Sequence, residues 1–199
     1  MPSFYRPPKR KKEQMESEEP PIWKLLALGT CFEYTGRDRG RVDSKTKISI
    51  LSKSSDTVEM SRVYHEYSAV DKTLDAETEH NFTANKKGIT IKEISKGEVV
   101  TDPVHYAPWI NLRDIGSSGT IGRIHTPHWG DIDVKGKEKI NGRECFVFKN
   151  DLHLPRFTMY YDKLTGLLIR ACCKHSLLDT SDYQLTSTNL RGFENYSPE

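Results

Sequence analysis

The chain has 199 residues, 30 of them basic and 28 acidic, for a formal net charge of +2. That length is enough for one domain whose core needs no disulfide staples, and the balanced charge gives no bulk electrostatic signal for nucleic acid. Mean hydropathy is −0.68, so the core must come from alternating patterns. No stretch approaches the roughly 20 apolar residues that span a bilayer.

Residues 1–21 read as a flexible charged tail. They hold Pro2, Pro7, Pro8, Pro20 and Pro21, the basic cluster Lys9-Arg10-Lys11-Lys12, and then Glu13, Glu16, Glu18 and Glu19. Such a segment has too little apolar surface to offset its ordering entropy. The basic cluster has the make-up of an import signal or of a membrane or RNA contact, against the plainer reading of a solvated tail. Residues 22–28 are apolar but too short for a span, carry Lys24 and lack a cleavage site; they read as a first strand or a helical turn. The chain as written is expected to be cytoplasmic, or envelope-associated if an upstream signal or anchor has been removed.

A single antiparallel β domain is expected over residues 22–192, with 193–199 as a short C-terminal tail. From about residue 28 the pattern has period two. Thr46, Ile48 and Ile50 share one strand face, with Lys45, Lys47 and Ser49 opposite. Val58 and Met60 begin a strand that continues through Tyr67, and the change of parity from Met60 to Val63 suggests a bulge. Ile89 and Ile91 mark another strand, and residues 95–98 turn it into Val99-Val100. Residues 101–130, rich in glycine and proline, read as long loops around short strands.

The last third carries the clearest pattern. Ile132, Val134 and Ile140 are expected on one face, followed by Asn141-Gly142, the preferred pair for a type I′ hairpin because both central residues need positive φ. Cys145 and Val147 alternate with Phe146 and Phe148, so this strand has apolar residues on both faces. Strands over 157–161, 167–173 and 183–190 complete a meander. Apolar spacing supports no helix longer than about three turns, so the fold class is mainly β: a curved antiparallel sheet, half-barrel or open barrel, with at most short helices.

Motifs that carry chemistry are scarce. The chain has no phosphate-binding GxxxxGK[ST], no GxGxxG after a strand and no GxSxG elbow. Gly116–Gly122 is glycine-rich but lacks a strand–helix frame, and reads as a plain loop. Cys31, Cys145, Cys172 and Cys173 form no CxxC; buried free thiols are expected, with a Cys31–Cys145 or Cys31–Cys172 disulfide as the alternative. His125, His128 and Asp131 could offer two imidazoles and a carboxylate to a metal, although Pro127 and Gly130 oppose the helix that would align them. A solvent-facing loop is the plainer reading. Trp109, Phe146, Phe148, Met159 and Tyr161 are the candidate ligand-lining residues, against the ordinary role of aromatics as core. No cofactor is expected.

The block Phe157-Thr158-Met159-Tyr160-Tyr161-Asp162-Lys163-Leu164-Thr165-Gly166-Leu167-Leu168-Ile169-Arg170 resembles the strand, Asp-x-x-Thr-Gly turn, strand unit of the lipoprotein-carrier-like half-barrels. The Asn141-Gly142 hairpin before it and the closing strand after it follow the same order, so the resemblance covers about a third of the chain. It implies a curved sheet whose concave face holds an acyl chain or another apolar ligand. The chain departs from that superfamily in showing no signal peptide and no lipidation cysteine near its N-terminus. The leading expectation is a non-enzymatic domain that binds an apolar small molecule. The alternative is a protein-interaction domain that uses a sheet edge and the N-terminal tail to hold a protein partner. A metal-dependent enzyme at His125, His128 and Asp131 comes third.

Overall fold

A computed structural model describes residues 20–38, 41–68, 70–95, 97–100, 107–112, 115, 123–126, 130–150, 156–174 and 180–198. The first half of the chain forms helix α1 (Pro21–Leu25) and strands β1 (Cys31–Asp38), β2 (Arg41–Lys53), β3 (Thr57–Tyr67), β4 (Leu74–Asn85), β5 (Thr90–Ser95) and β6 (Glu98–Val99). The second half forms β7 (Arg123–Thr126), β8 (Gly130–Ile140), β9 (Arg143–Asn150), β10 (Arg156–Asp162), β11 (Leu168–Lys174) and β12 (Thr180–Thr188).

These twelve strands make one open sheet in the order β6-β5-β4-β3-β2-β1-β12-β11-β10-β9-β8-β7. Each half is an antiparallel meander, and the two wings join at the centre where β1 pairs with β12. Side chains reinforce that seam. Asn189 accepts from the Cys31 amide at 2.8 Å and donates to the Gly29 carbonyl at 3.0 Å, while Thr186 and Thr188 donate to the carbonyls of Glu33 and Cys31. The mainly β expectation holds, and the one short helix matches the helical turn allowed at 22–28.

In the N-terminal wing one face, here the inner face, carries the core. Phe32, Tyr34, Ile48, Ile50, Met60 and Phe82 are buried on it together with Thr46, as the alternation in β2 requires. Helix α1 buries Ile22 and Trp23 in the same cluster. Lys53 holds the helix by donating to the carbonyls of Trp23 and Leu26, which have no partner within so short a helix.

The segment 107–112 straps the two wings together. Pro108 and Ile110 exchange backbone hydrogen bonds with Leu168 and Gly166 of the β10–β11 turn, at 2.7 and 3.0 Å. On the other side, the Trp109 carbonyl sits so close to Gly88, in the β4–β5 turn, that a Cβ there would strike it; the Ile110 carbonyl blocks Gly166 in the same way. Both glycines also have positive φ, 82° and 79°, a region costly to other residues. Trp109 enters the larger core cluster and Ile110 packs on a smaller one around Phe148.

Three sequence expectations need correcting. Val134 and Ile140 do not share a face. The β8–β9 register shifts between Val134 and Gly136, so Val134 packs with Phe148 while Ile140 packs on the opposite side of the strand pair. An extra residue reverses the parity of everything beyond it. The bulge suggested between Met60 and Val63 is absent, because those residues pair continuously with Ile50 to Lys47; the irregularity lies at Leu51 on β2. Ile89 and Ile91, which mark the strand in the sequence, are exposed at 41% and 55%, and Thr90 and Glu93 of β5 are buried instead. At the chain ends, residues 1–19 and the loop Gly116–Gly122 lie outside the described residues. Phe193 is buried under the Arg143 guanidinium, 3.7 Å from its ring centroid, and Tyr196 donates to the Leu185 carbonyl at 2.8 Å.

Two turns of the C-terminal meander, both within the described residues, form as their residues dictate. Asn141 and Gly142 have φ of 47° and 78° in a two-residue turn that pairs Ile140 with Arg143. The buried Asp162 carboxylate accepts from the Thr165 amide and hydroxyl at 2.9 and 2.7 Å, and from Arg143 Nε at 2.7 Å. No atom lies within 4 Å of a Cβ added at Gly142, so Gly142→Ala meets only the conformational penalty, about 1 kcal/mol. Lys137→Ala removes a cation–π contact with Phe146 and is expected to cost no more than about 0.5 kcal/mol. Denaturant unfolding of both variants beside the parent checks this order; equal midpoints for all three would contradict the tight turn.

Candidate functional site

Strand register lines up one row across seven strands of the inner face: Ser44, Gly36, Tyr183, Ala171, Met159, Phe148 and Val134. Directly opposed residues project to the same side. The row is large and apolar at the Val134 end and has small residues at Ser44, Gly36 and Ala171. A Cβ at Gly36 would meet the Ser44 hydroxyl and the Asp43 carboxylate, so a larger residue there must displace those side chains.

Over that small stretch lies a pocket of about 260 Å³. Phe157, Met159, Ala171 and Tyr183 supply its apolar lining, and Arg37, Asp43, Ser181 and Asp182 are among its polar groups. Tyr183 stacks flat on Tyr34 at 4.7 Å between centroids, and Tyr34 donates to the Leu168 carbonyl at 2.9 Å. Asp182 is held by a two-pronged contact from Arg170, at 2.9 and 2.8 Å, a geometry that fixes both side chains. Hydrogen bonding to Asp182 holds the Arg170 guanidinium firmly charged. Burial, and then the Asp182 charge, push the Cys172 thiol up to about 11, so it is a neutral lining group near neutral pH.

Of the five residues expected to line a ligand, Phe146, Phe148, Met159 and Tyr161 come together on the inner face. Phe148 and Tyr161 meet edge to face at 5.4 Å, and the Tyr161 hydroxyl lies 3.7 Å from the Met159 sulfur. They pack on one another, and Met159 alone among them borders the pocket. Trp109 belongs to the strap, 2% exposed, with no hydrogen-bond partner for its buried Nε1 among the described residues. His125 and Asp131 are register partners on β7 and β8, and His128 lies outside the described residues. Among the described residues no three His, Cys, Asp or Glu side chains converge as metal ligands.

Gly36, Ser44, Ala171 and Tyr183 were not singled out from sequence. They come from four strands at both ends of the chain, and only the β1–β12 seam unites them. Gly36 alone carried a signal, as a glycine inside a strand pattern, which marks close backbone or ligand approach. All four cysteines are free.

No protein-family model matches the chain, and no curated protein does. Among solved structures it is similar to MucB, with a TM-score of 0.40 at 15% identity over 90% of this chain and 58% of that one. It is also similar to MucB in complex with MucA(peri), at 0.44 and 17% over 90% and 56%, and to the hypothetical protein CT021 from Chlamydia trachomatis, at 0.42 and 8% over 90% and 95%. The chain thus spans less than two thirds of MucB. No family assignment follows from these likenesses. Among the described residues no helix is long and apolar enough to cross a membrane, and the comparisons lend no support to a cytosolic address.

Burial shifts the ionisation of Tyr34 and Tyr161 to higher pH and pushes the Cys145 thiol up to about 12. Folded-state values above unfolded ones stabilise the fold fully below the unfolded values, near 9 for thiols and 10 for phenols, and that stability is lost as pH rises past them. The denaturant midpoint is therefore expected to fall above about pH 9. Part of the tyrosinate absorbance should appear only with unfolding. A full tyrosine titration near pH 10 in the folded protein would contradict this burial.

Proposed function

We propose that the domain is a non-enzymatic binding protein that takes an apolar or amphipathic small molecule into the inner-face pocket. The observation that carries this reading is the pocket itself: apolar lining from Phe157, Met159, Ala171 and Tyr183, a floor kept open by Gly36, and charged groups among its borders. Ligand sites have this make-up, mostly apolar walls with a few placed polar groups. At about 260 Å³ the pocket falls just below the roughly 300–1,000 Å³ of typical small-molecule sites, so it suits a short chain or one segment of a longer one. The packed cluster of Phe146, Phe148 and Tyr161 extends the apolar face beyond Met159, and a longer ligand would have to part these side chains. The resemblance of the Phe157–Arg170 hairpin to lipoprotein-carrier-like half-barrels agrees with an acyl ligand.

The test is native mass spectrometry of the purified protein before and after organic extraction, followed by titration with a fluorescent fatty acid. Ala171→Phe, which fills the pocket from its floor, is expected to weaken uptake at least tenfold while circular dichroism stays unchanged. A protein that carries no ligand and takes up neither fatty acid nor hydrophobic dye would contradict the reading, as would undiminished uptake by the folded Ala171→Phe variant.

A further inference from the structure

Strand β4 is longer than the strand that covers it. It pairs with β3 from Leu74 to Asn85, but with β5 only from His80 to Ala84. Residues 74–79 therefore form a free sheet edge among the described residues, six residues or about 20 Å long. The edge carries no proline and no lysine; its charges are Asp75, Glu77 and Glu79, and a register shift against β3 sits at Asp75. Its backbone groups need partners, and water or an added strand can supply them.

The side chains along this edge alternate. Asp75, Glu77 and Glu79 are exposed on one side, while Ala76, Thr78 and His80 lie half-buried on the other. Glu77 meets His65 at 2.8 Å and Glu79 accepts from Ser61 at 3.0 Å, which holds two of the three carboxylates in the row. Where β5 ends, a recess of about 530 Å³ opens, bordered by Glu77–Asn81, Ile94, Ser95 and Gly97. The β5–β6 turn forms the end wall of that recess, so an added strand would lie beside residues 74–79 and stop against it.

We infer that this edge takes up an extended segment of a partner protein with lysine or arginine at alternate positions and small or β-branched residues between them. Strand addition supplies main-chain hydrogen bonds, and alternate side chains supply specificity. Basic residues opposite Asp75, Glu77 and Glu79 make favourable cross-strand pairs, whereas like charges placed opposite are unfavourable. A second copy of this edge would set acid against acid, so the charge pattern selects a different, basic partner. The inference concerns a surface on the N-terminal wing and does not depend on the ligand pocket.

The probe is an acetylated, amidated peptide of alternating lysine and valine, seven residues long, titrated into the full chain by fluorescence polarisation. Backbone amides are followed by hydrogen exchange. The expected result is binding that weakens at least tenfold on adding salt, with slowed exchange confined to residues 74–79. The same peptide N-methylated at its valines, which keeps its charge but loses main-chain donors, is expected not to bind. The variant Asp75→Lys/Glu77→Lys is expected to lose at least tenfold in affinity with an unchanged circular dichroism spectrum; Asp75→Asn/Glu77→Gln gives the same reading if the reversal unfolds. The inference is overturned if the N-methylated peptide binds equally well, if folded charge variants bind as the parent does, or if no binding is seen. It is equally overturned if the amides of residues 74–79 that point away from β3 are already protected without peptide, because the chain itself or a second copy then covers the edge.

Discussion

The contact on which the rest of this structure depends is that of a two-residue stretch of backbone on two glycines. The sheet is open, with β6 at one edge and β7 at the other, and the strand ladder alone joins its wings only at the β1–β12 seam. The carbonyls of Trp109 and Ile110 rest on Gly88 and Gly166, one in each wing. Trp109 and Ile110 then send their side chains into different core clusters. A twisted sheet of this many strands must curl or split to bury its apolar face. Here the strap braces the curl between the two wings.

Seen this way, the small residues of the inner row are consequences of closure. Ser44, Gly36 and Ala171 lie where β2, β1 and β11 present the same face. Larger side chains there would either fill the space or push the wings apart against the strap. The polar groups around the pocket are tied to the fold rather than loose: Asp182 by Arg170, and Tyr183 by its stack on Tyr34. The free edge of β4 arises separately, from the shortness of β5, and exposes a second surface of different chemistry.

How much of this could be read from the sequence depended on the range of the interactions. Local rules worked where the determinant is local. Asn141-Gly142 forms the turn that its positive φ values demand, the Asp162–Gly166 turn closes on its own carboxylate, and the alternation of Thr46, Ile48 and Ile50 matches their burial. Alternation failed where one residue is inserted. The register shift around Lys135 sends Ile140 to the face opposite Val134, and its one local mark is Gly136, a glycine inside a strand, which the alternation reading passed over. It also misread β5, where Glu93 rather than Ile91 is buried. The pocket was invisible because its residues meet only through pairing of the first strand with the last. Of the candidate residues that sequence did supply, Met159 is a wall of the pocket, whereas Phe146, Phe148 and Tyr161 pack beside it.

The account stands on the strap, and a set of alanine substitutions tests it directly. Gly97 has φ of 84°, like Gly88 and Gly166, yet a Cβ there meets no atom within 4 Å. Gly97→Ala thus measures the conformational penalty alone, about 1 kcal/mol, whereas Gly88→Ala and Gly166→Ala add a collision with the strap and are expected to cost about 2–4 kcal/mol each. Because either substitution displaces the same segment, the double variant should lose less than the sum. Denaturant unfolding of the four variants beside the parent reads all of this. Costs at Gly88 and Gly166 equal to that at Gly97, and strictly additive in the double variant, would contradict a strap that ties the two wings together.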